Sequence, residues 1–166
     1  MYWYLIQTKP RLEKYALENL ERQGYECYLP LLPTEKLRRG KLAIVDIPLF
    51  PRYLFIRLGT NTSDKSWAPI RSTKGVSTLV RFGNDPAKAD DELIALLKSH
   101  ESVRQDTPER LFEQGERVLL TEGPFAGIEG IYQMTDGEHR AMVLIELLGK
   151  SASLRIEIKG VRKTGK

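Results

Sequence analysis

Apolar positions along this chain change their period several times, and each change marks an element. Residues 2–8, Tyr-Trp-Tyr-Leu-Ile-Gln-Thr, are apolar at successive rather than alternate positions, which predicts a strand buried on both faces. Pro10 suits the first turn of a helix, with Thr8 or Lys9 near its cap. Leu12, Tyr15, Ala16 and Leu20 then recur at helical spacing as an inner stripe, and Gly24 ends the run. Tyr25 to Leu32 reads as a second strand, so the opening predicts a helix packed on one face of a sheet. Residues 35–47 predict a hairpin with Leu37-Arg38-Arg39-Gly40-Lys41 at its tip, where Gly40 supplies the turn.

The returning arm leads into Pro48-Leu49-Phe50-Pro51-Arg52-Tyr53-Leu54-Phe55-Ile56. Its prolines offer no ladder donor, so its first residues cannot form a central strand. From Tyr53 onward the alternation suits a strand and places Tyr53 and Phe55 on one face. Such a face is either core or a docking surface for a partner helix. Burying one aromatic of this kind is worth roughly 1.5–3 kcal/mol, so two or three anchors support a complex. Asn61 to Asp64 reads as a polar loop, Ser66 to Arg71 as a short helix or turn, and Val76 to Phe82 as a strand closed by Gly83-Asn84-Asp85-Pro86. Asp90 can cap a helix carrying Leu93, Ile94 and Leu97 on one face, fading by Ser102. Val103 to Gln114 is polar, contains Pro108 and lacks periodicity, which predicts a linker. Beyond it, Glu116–Thr121, Ile128–Met134, Met142–Leu148 and Leu154–Ile158 read as short strands. Turn signals separate them at Glu122–Gly127, Asp136-Gly137 and Gly149-Lys150-Ser151, which predicts a small barrel. The expected organisation is therefore an N-terminal domain over 1–102, a linker over 103–114 and a barrel over 115–166.

Composition narrows the chemistry. The 166 residues are 41% hydrophobic and 29% charged, with a formal net charge of +4. No apolar run has the length of a membrane span, and the N-terminus lacks the pattern of a secretory leader. One cysteine, Cys27, excludes an internal disulfide and a cysteine-cluster zinc site. These features predict a cytoplasmic protein without membrane partner, metal or cofactor. His100 and His139 lie in different expected domains, the Gly123–Gly127 run lacks the lysine of a phosphate loop, and Ser66, Ser72 and Ser77 have no nucleophile elbow. Asp85 and Glu101 have no convergent motif around them, and Asp90-Asp91-Glu92 reads as a helix start. A binding protein, not an enzyme, is expected. Cations gather at Arg38, Arg39 and Lys41 on the hairpin tip, at Lys9, Arg11 and Lys14 near the first helix, and at Arg71, Lys74 and Arg81. They read either as solvated charge or as phosphate contacts.

The order of several motifs resembles the NusG family of transcription elongation factors. They are Trp3-Tyr4-Leu5, the helix with Ala16-Leu17-Glu18-Asn19-Leu20-Glu21-Arg22-Gln23-Gly24, the Pro48–Phe55 segment, Thr73-Lys74-Gly75-Val76 and Val80-Arg81-Phe82-Gly83. Glu122 to Gly127 with Gly130 looks like a KOW motif. The resemblance covers nearly the whole chain and is strongest to the RfaH-type specialised branch, through Pro-Leu-Phe-Pro-x-Tyr-Leu-Phe and Val-Arg-Phe-Gly. It implies an α+β fold: an N-terminal antiparallel sheet flanked by helices, a flexible linker and a C-terminal KOW (SH3-like) β-barrel. The alternative for the C-terminal domain is an α-helical hairpin that switches fold. The implied function is transcription elongation and antitermination without enzymatic activity. RNA polymerase clamp helices would be bound through Tyr53 and Phe55, supported by Trp3, Leu5 and Phe50. The non-template DNA strand would be met by Lys9 and Lys74, with Arg39 on the hairpin, and Arg11, Arg38, Lys41 and Arg71 complete the expected DNA-binding set. The KOW domain would recruit a small-subunit ribosomal protein or a termination factor, and the chain would act as a monomer.

The alternatives are a general NusG-like elongation factor and an RNA-binding KOW protein of the translation apparatus, which would bind RNA through residues 113–166 alone. The chain departs from the branch at several places. Tyr15 and Asn19 stand where it carries arginine and histidine, and Ser66-Trp67-Ala68-Pro69 replaces a His-Thr-Thr run. Arg140 matches the arginine of the branch's interdomain lock, but the acidic partner position is Ile47, and Asp46 falls on the other strand face. Gly149, Gly123-Pro124 and the strand-forming Met142–Ile145 and Leu154–Ile158 segments favour the barrel.

Overall fold

The computed structural model describes residues 2–59, 64–106 and 128–163. Its centre is β1 (Tyr2–Thr8), because both edges of this strand are paired. One edge runs antiparallel to β5 (Tyr53–Leu58), from Tyr2 opposite Leu58 to Gln7 opposite Tyr53. The other edge is shared by β6 (Val76–Leu79) and β9 (Lys88–Ala89). Between them Leu5 accepts from the Val80 N–H and donates to the Ala87 carbonyl. With β2 (Glu26–Tyr28) on the outside of β5, the order is β2-β5-β1-β6. The continuous apolar run of β1 is thus matched by cover on both faces, with Trp3, Tyr4, Leu5 and Ile6 all buried.

One face carries Tyr4, Ile6, Leu54, Ile56 and Leu58, packed on Ala16 and Leu20 of α1 (Glu13–Arg22) and Ile70 of α2 (Asp64–Arg71). The first helix starts later than the Pro10 signal suggests. Residues 10–11 form a turn in which Arg11 has φ 64°, and Glu13 opens the helix. This shift leaves Leu12 and Tyr15 exposed and turns Glu13, Ala16 and Leu20 inward. Glu13 is tolerated there because its Oε2 accepts the Arg52 N–H at 3.0 Å. At the other end Gly24, with φ 94°, closes a Schellman motif: its N–H bonds Glu21 O and the Tyr25 N–H bonds Leu20 O.

The expected strand over 25–32 breaks near Pro30, which has no N–H to give, into β2 and β3 (Leu31–Arg38). Together with β4 (Lys41–Pro48), β3 forms a separate two-stranded hairpin. Its two-residue turn, Arg39-Gly40, has left-handed backbone at both positions (φ 52° and 79°), the geometry that matches strand twist. The expected strand over 76–82 divides at Val80 into β6 and β7 (Arg81–Phe82), the latter paired with β8 (Asp85–Pro86). The last N-terminal helix, α3 (Asp91–Asp106), opens with Leu93 and Ile94 N–H groups on the Asp90 carbonyl and continues past Ser102.

The C-terminal region departs from the barrel expected above. Of the residues assigned to strands at 128–134, 142–148 and 154–158, all but Met134 lie in α4 (Ile128–Gln133) and α5 (Gly137–Lys163). The described part of this region is therefore helical, as in the hairpin alternative and unlike the barrel. The expected strand at 116–121, the turn-rich 122–127 segment and the linker from residue 107 onward lie outside them. Asp136-Gly137 is not a β-turn but a helix start: Asp136 Oδ1 accepts the Glu138 N–H at 3.1 Å, and its carbonyl accepts from Arg140. The physical reason is burial. Ala141, Leu144 and Leu148 recur at helical spacing and are buried with Ile128, Ile131 and Tyr132. Strand propensity differs among residues by only ~1 kcal/mol, whereas each large side chain so covered contributes roughly 1.5–3 kcal/mol. A waiting apolar surface decides the outcome.

Candidate functional site: an apolar sheet face under a helical cover

That surface is the second face of the sheet. In the β1–β5 ladder Leu5 stands opposite Phe55, and Gln7 opposite Tyr53, so Trp3, Leu5, Tyr53 and Phe55 project the same way. Phe50 joins them from the Pro48–Pro51 corner, whose Tyr53 N–H returns to the Phe50 carbonyl at 3.0 Å. All five residues expected to meet polymerase therefore fall in one apolar cluster. Trp3, Leu5, Phe50 and Phe55 are buried, and Tyr53 is half-buried with its hydroxyl taking a 3.3 Å bond from Gln7 Nε2. Tyr28 lies beside Phe55, ring centroids 6.3 Å apart, and the Lys98 ammonium sits 5.3 Å above the Trp3 ring.

Two sets of side chains bury this face. Leu93, Ile94 and Leu97 come from α3, and Ile128, Ile131, Tyr132, Ala141, Leu144 and Leu148 come from the C-terminal helices. The Tyr132 ring also stacks on His100 of α3 at 3.8 Å. Arg140 fastens the cover. Its side chain is buried; Nε donates to the Leu49 carbonyl at 2.7 Å and Nη1 to the Met134 carbonyl at 2.8 Å. Burial lowers its pKa, and the nearby Asp136 carboxylate opposes that shift. The sequence offers no acid at position 47, and the geometry replaces it with a backbone carbonyl. Gly137 completes the contact: a Cβ there would lie 2.5 Å from Pro51 Cγ.

The expected DNA-binding cations fall into two groups. Lys9 and Lys74 are neighbours through backbone bonds, since Lys9 N–H meets the Gly75 carbonyl and Asn19 Nδ2 meets the Lys74 carbonyl. Arg71 ends α2 at the same end of the sheet, two residues before Thr73, whose hydroxyl accepts from Gln23 Nε2. Arg11 lies in the turn just after Lys9. Arg38, Arg39 and Lys41 are exposed at the far end of the eight-residue arms of the hairpin. Sequence reasoning missed Arg52, Glu13 and Glu138, and set His100 aside. Nothing in their spacing marks them, because each acquires its surroundings only when distant segments meet.

Among the described residues no group of three or more His, Cys, Asp or Glu side chains is placed to hold a metal ion, and no helix is long and apolar enough to cross a membrane. Burial, reinforced by Glu21 and Glu26, pushes the Cys27 thiol up to about 12, which keeps it protonated at neutral pH.

Three comparisons with known proteins bear on the identity of the chain. A family model described as "Transcription termination factor nusG" matches residues 1–98. The chain is 26% identical to the transcription termination/antitermination protein NusG of Rickettsia bellii over 97% of its own length and 89% of that protein's. It is 29% identical to the protein of the same name from Helicobacter pylori J99, over 98% of both chains. A solved structure described as "Domain interaction in Thermotoga maritima NusG" overlaps 62% of this chain and 55% of that one, at 20% identity and a TM-score of 0.43. This chain belongs to the NusG family.

Proposed function

We propose that this NusG-family chain is a transcription elongation and antitermination factor held in a covered resting state. Its sheet face, built from Trp3, Leu5, Phe50, Tyr53 and Phe55, grips the clamp helices of RNA polymerase once α4 and α5 have moved away. The cations at Lys9, Lys74, Arg71 and the hairpin tip then lie against the exposed non-template strand. The released C-terminal segment becomes free to recruit a small-subunit ribosomal protein or a termination factor. No bond is made or broken: the factor favours the polymerase conformation it binds best. The single observation that carries this reading is the coincidence of the five-residue apolar face with the surface covered by the C-terminal helices. A helix already lies where a partner helix would lie, which is the groove mode of recognition turned inward. The cover also favours recruited action at chosen sites over the constitutive action of a general elongation factor, because an occluded face binds only after a trigger.

The test is polymerase binding by the full chain. Arg140→Met should raise affinity by weakening the cover, and adding Tyr53→Ala should remove that gain. Equal polymerase binding by Arg140→Met and the double variant, both folded, overturns the docking role of the face.

A further inference from the structure

Among the described residues, three non-glycine positions have left-handed backbone, and all three are arginines: Arg11 (φ 64°), Arg39 (φ 52°) and Arg52 (φ 73°). Glycine, asparagine or aspartate would adopt this conformation at lower cost. Backbone strain kept at a charged side chain is a pointer to a functional position. Arg39 is explained by the hairpin tip. Arg11 and Arg52 lie far apart in sequence, yet they line one open cleft of about 400 Å³ together with Gln7, Glu13, Tyr53 and Glu138.

The cleft is built rather than incidental. The Arg52 turn is tied to the end of β1 in both directions: Thr8 N–H donates to the Arg52 carbonyl at 2.7 Å, and Arg52 Nε donates to the Thr8 carbonyl at 3.3 Å. The buried Glu13 carboxylate holds the Arg52 N–H from below. Lys9, the next residue after Thr8, is bonded to Gly75 beside Lys74. A row of cations, Lys74, Lys9, Arg11 and Arg52, therefore runs around one end of β1. The remaining wall comes from the C-terminal helix, which brings the exposed Glu138 into the cleft that the two arginines line.

We infer that Arg11 and Arg52 form a binding cleft for the phosphates of single-stranded nucleic acid, and that Glu138 supplies the competing negative charge while the C-terminal helices are docked. The inference rests on the nucleic-acid reading proposed above and extends it in two ways. It adds Arg52 to the contact set, and it makes the helical cover a block on nucleic acid as well as on polymerase. Arginine forks suit phosphate oxygens. Release of α5 removes one acid from a cleft holding two arginines, so strand binding and polymerase binding become available together.

Left-handed backbone makes the test clean, because Arg11→Gly and Arg52→Gly relieve strain and leave the turns intact. The full chain is titrated against a fluorescein-labelled single-stranded DNA oligonucleotide by anisotropy over a series of salt concentrations. Each glycine variant should weaken binding and lower the slope of log K against log salt by ~0.7 for every phosphate that is no longer neutralised. Glu138→Gln should tighten binding roughly two- to fivefold, as expected for removing one partly screened charge. That gain should vanish in the Arg11→Gly/Arg52→Gly background, which separates a charge effect on the cleft from a general loosening of the helices. Lys74→Ala distinguishes the cleft from the wider nucleic-acid reading. If it weakens binding while both glycine variants match the parent chain in affinity and slope, the cleft is overturned and the wider reading stands. If Lys74→Ala is also without effect, or if neither parent nor Glu138→Gln binds the strand at low salt, both fall.

Discussion

Two glycines of α5 make matched probes of its docking, because the same substitution should act in opposite directions. Gly149 lies within the helix, and a Cβ there would meet Phe82 Cε1 at 3.5 Å and Cζ at 3.8 Å, ordinary van der Waals distances. Gly149→Ala adds helix propensity worth about 1 kcal/mol and a methyl group that fits. The docked helical state should gain about 1 kcal/mol, roughly a fivefold shift in its opening equilibrium. Gly137 stands at the start of the same helix, but its added Cβ would lie 2.5 Å from Pro51 Cγ, 3.1 Å from Pro51 Cδ and 3.3 Å from Arg140 Nη2. The proline ring cannot swing away as a flexible side chain would, and it adjoins the fully buried Phe50. Overpacking of this kind costs about 1–3 kcal/mol, more than alanine returns at a helix terminus. Amide hydrogen exchange of the 141–148 segment in the full chain reads the effect directly. Gly149→Ala should raise protection about fivefold, and Gly137→Ala should lower it by roughly five- to a hundredfold. If both raise protection, helix propensity alone governs α5 and the Pro51 contact does not hold it. If both lower it, the space beside Phe82 has no such room. Either result refutes the docking geometry.

Arg140→Met keeps much of the side-chain volume but loses two hydrogen bonds to carbonyls. Charge-assisted bonds contribute about 1.5–3 kcal/mol each, offset in part by release of a desolvated guanidinium, so a net loosening of about 2 kcal/mol is expected. In the same exchange experiment this is a loss of protection of roughly thirtyfold; a change under threefold contradicts the role of Arg140. Glu101 accepts the Leu31 N–H at 2.6 Å, and burial raises its pKa above the ordinary value despite that bond. A raised native pKa means that its contribution is fully present below the unfolded carboxylate pKa and is lost as pH rises through the native value. Glu101→Gln keeps an acceptor for Leu31 and should be at least as stable as the parent at neutral pH. Its advantage should disappear on acidification; urea midpoints across pH that show a constant or reversed difference would sink this assignment.

Legibility in the sequence followed the range of the forces involved. The β1 run, the Gly24 stop, the Arg39-Gly40 turn and the α3 stripe were readable because neighbouring residues determine them. Shifts of a few residues fall where a distant partner intervenes: α1 starts at Glu13, whose carboxylate accepts the Arg52 N–H. The largest departure, helix where strands were expected at 128–133 and 142–148, has the same origin at larger scale. Met142-Val143-Leu144-Ile145 suits a strand locally, but Ala141, Leu144 and Leu148 also fit one helical face. Two periods coexist in one segment, and only the presence of the N-terminal sheet face selects between them. The gathering of Trp3, Leu5, Phe50, Tyr53 and Phe55 was foreseen through the family pattern and the period-two alternation. Arg52 was not, since a left-handed arginine leaves no trace in composition or spacing.

The replacement of an acid by the Leu49 carbonyl as the partner of Arg140 changes how the cover should respond to solution conditions. An ion pair between α5 and the hairpin would weaken when its carboxylate is protonated and, to the extent that it is exposed, when salt screens it. The Leu49 carbonyl that Arg140 bonds has no proton to gain, and Arg140 is too buried for screening to reach it readily. What remains sensitive to salt is the wall of the cleft, which exposed Glu138 and Arg11 both line. On the proposed reading, ionic strength therefore leaves the apolar cover in place, and opening falls to something that competes for the face itself. A polymerase helix does so by differential affinity. Its apparent grip is reduced by the fraction of molecules found open, so every interaction that strengthens the cover raises the affinity a genuine target must supply.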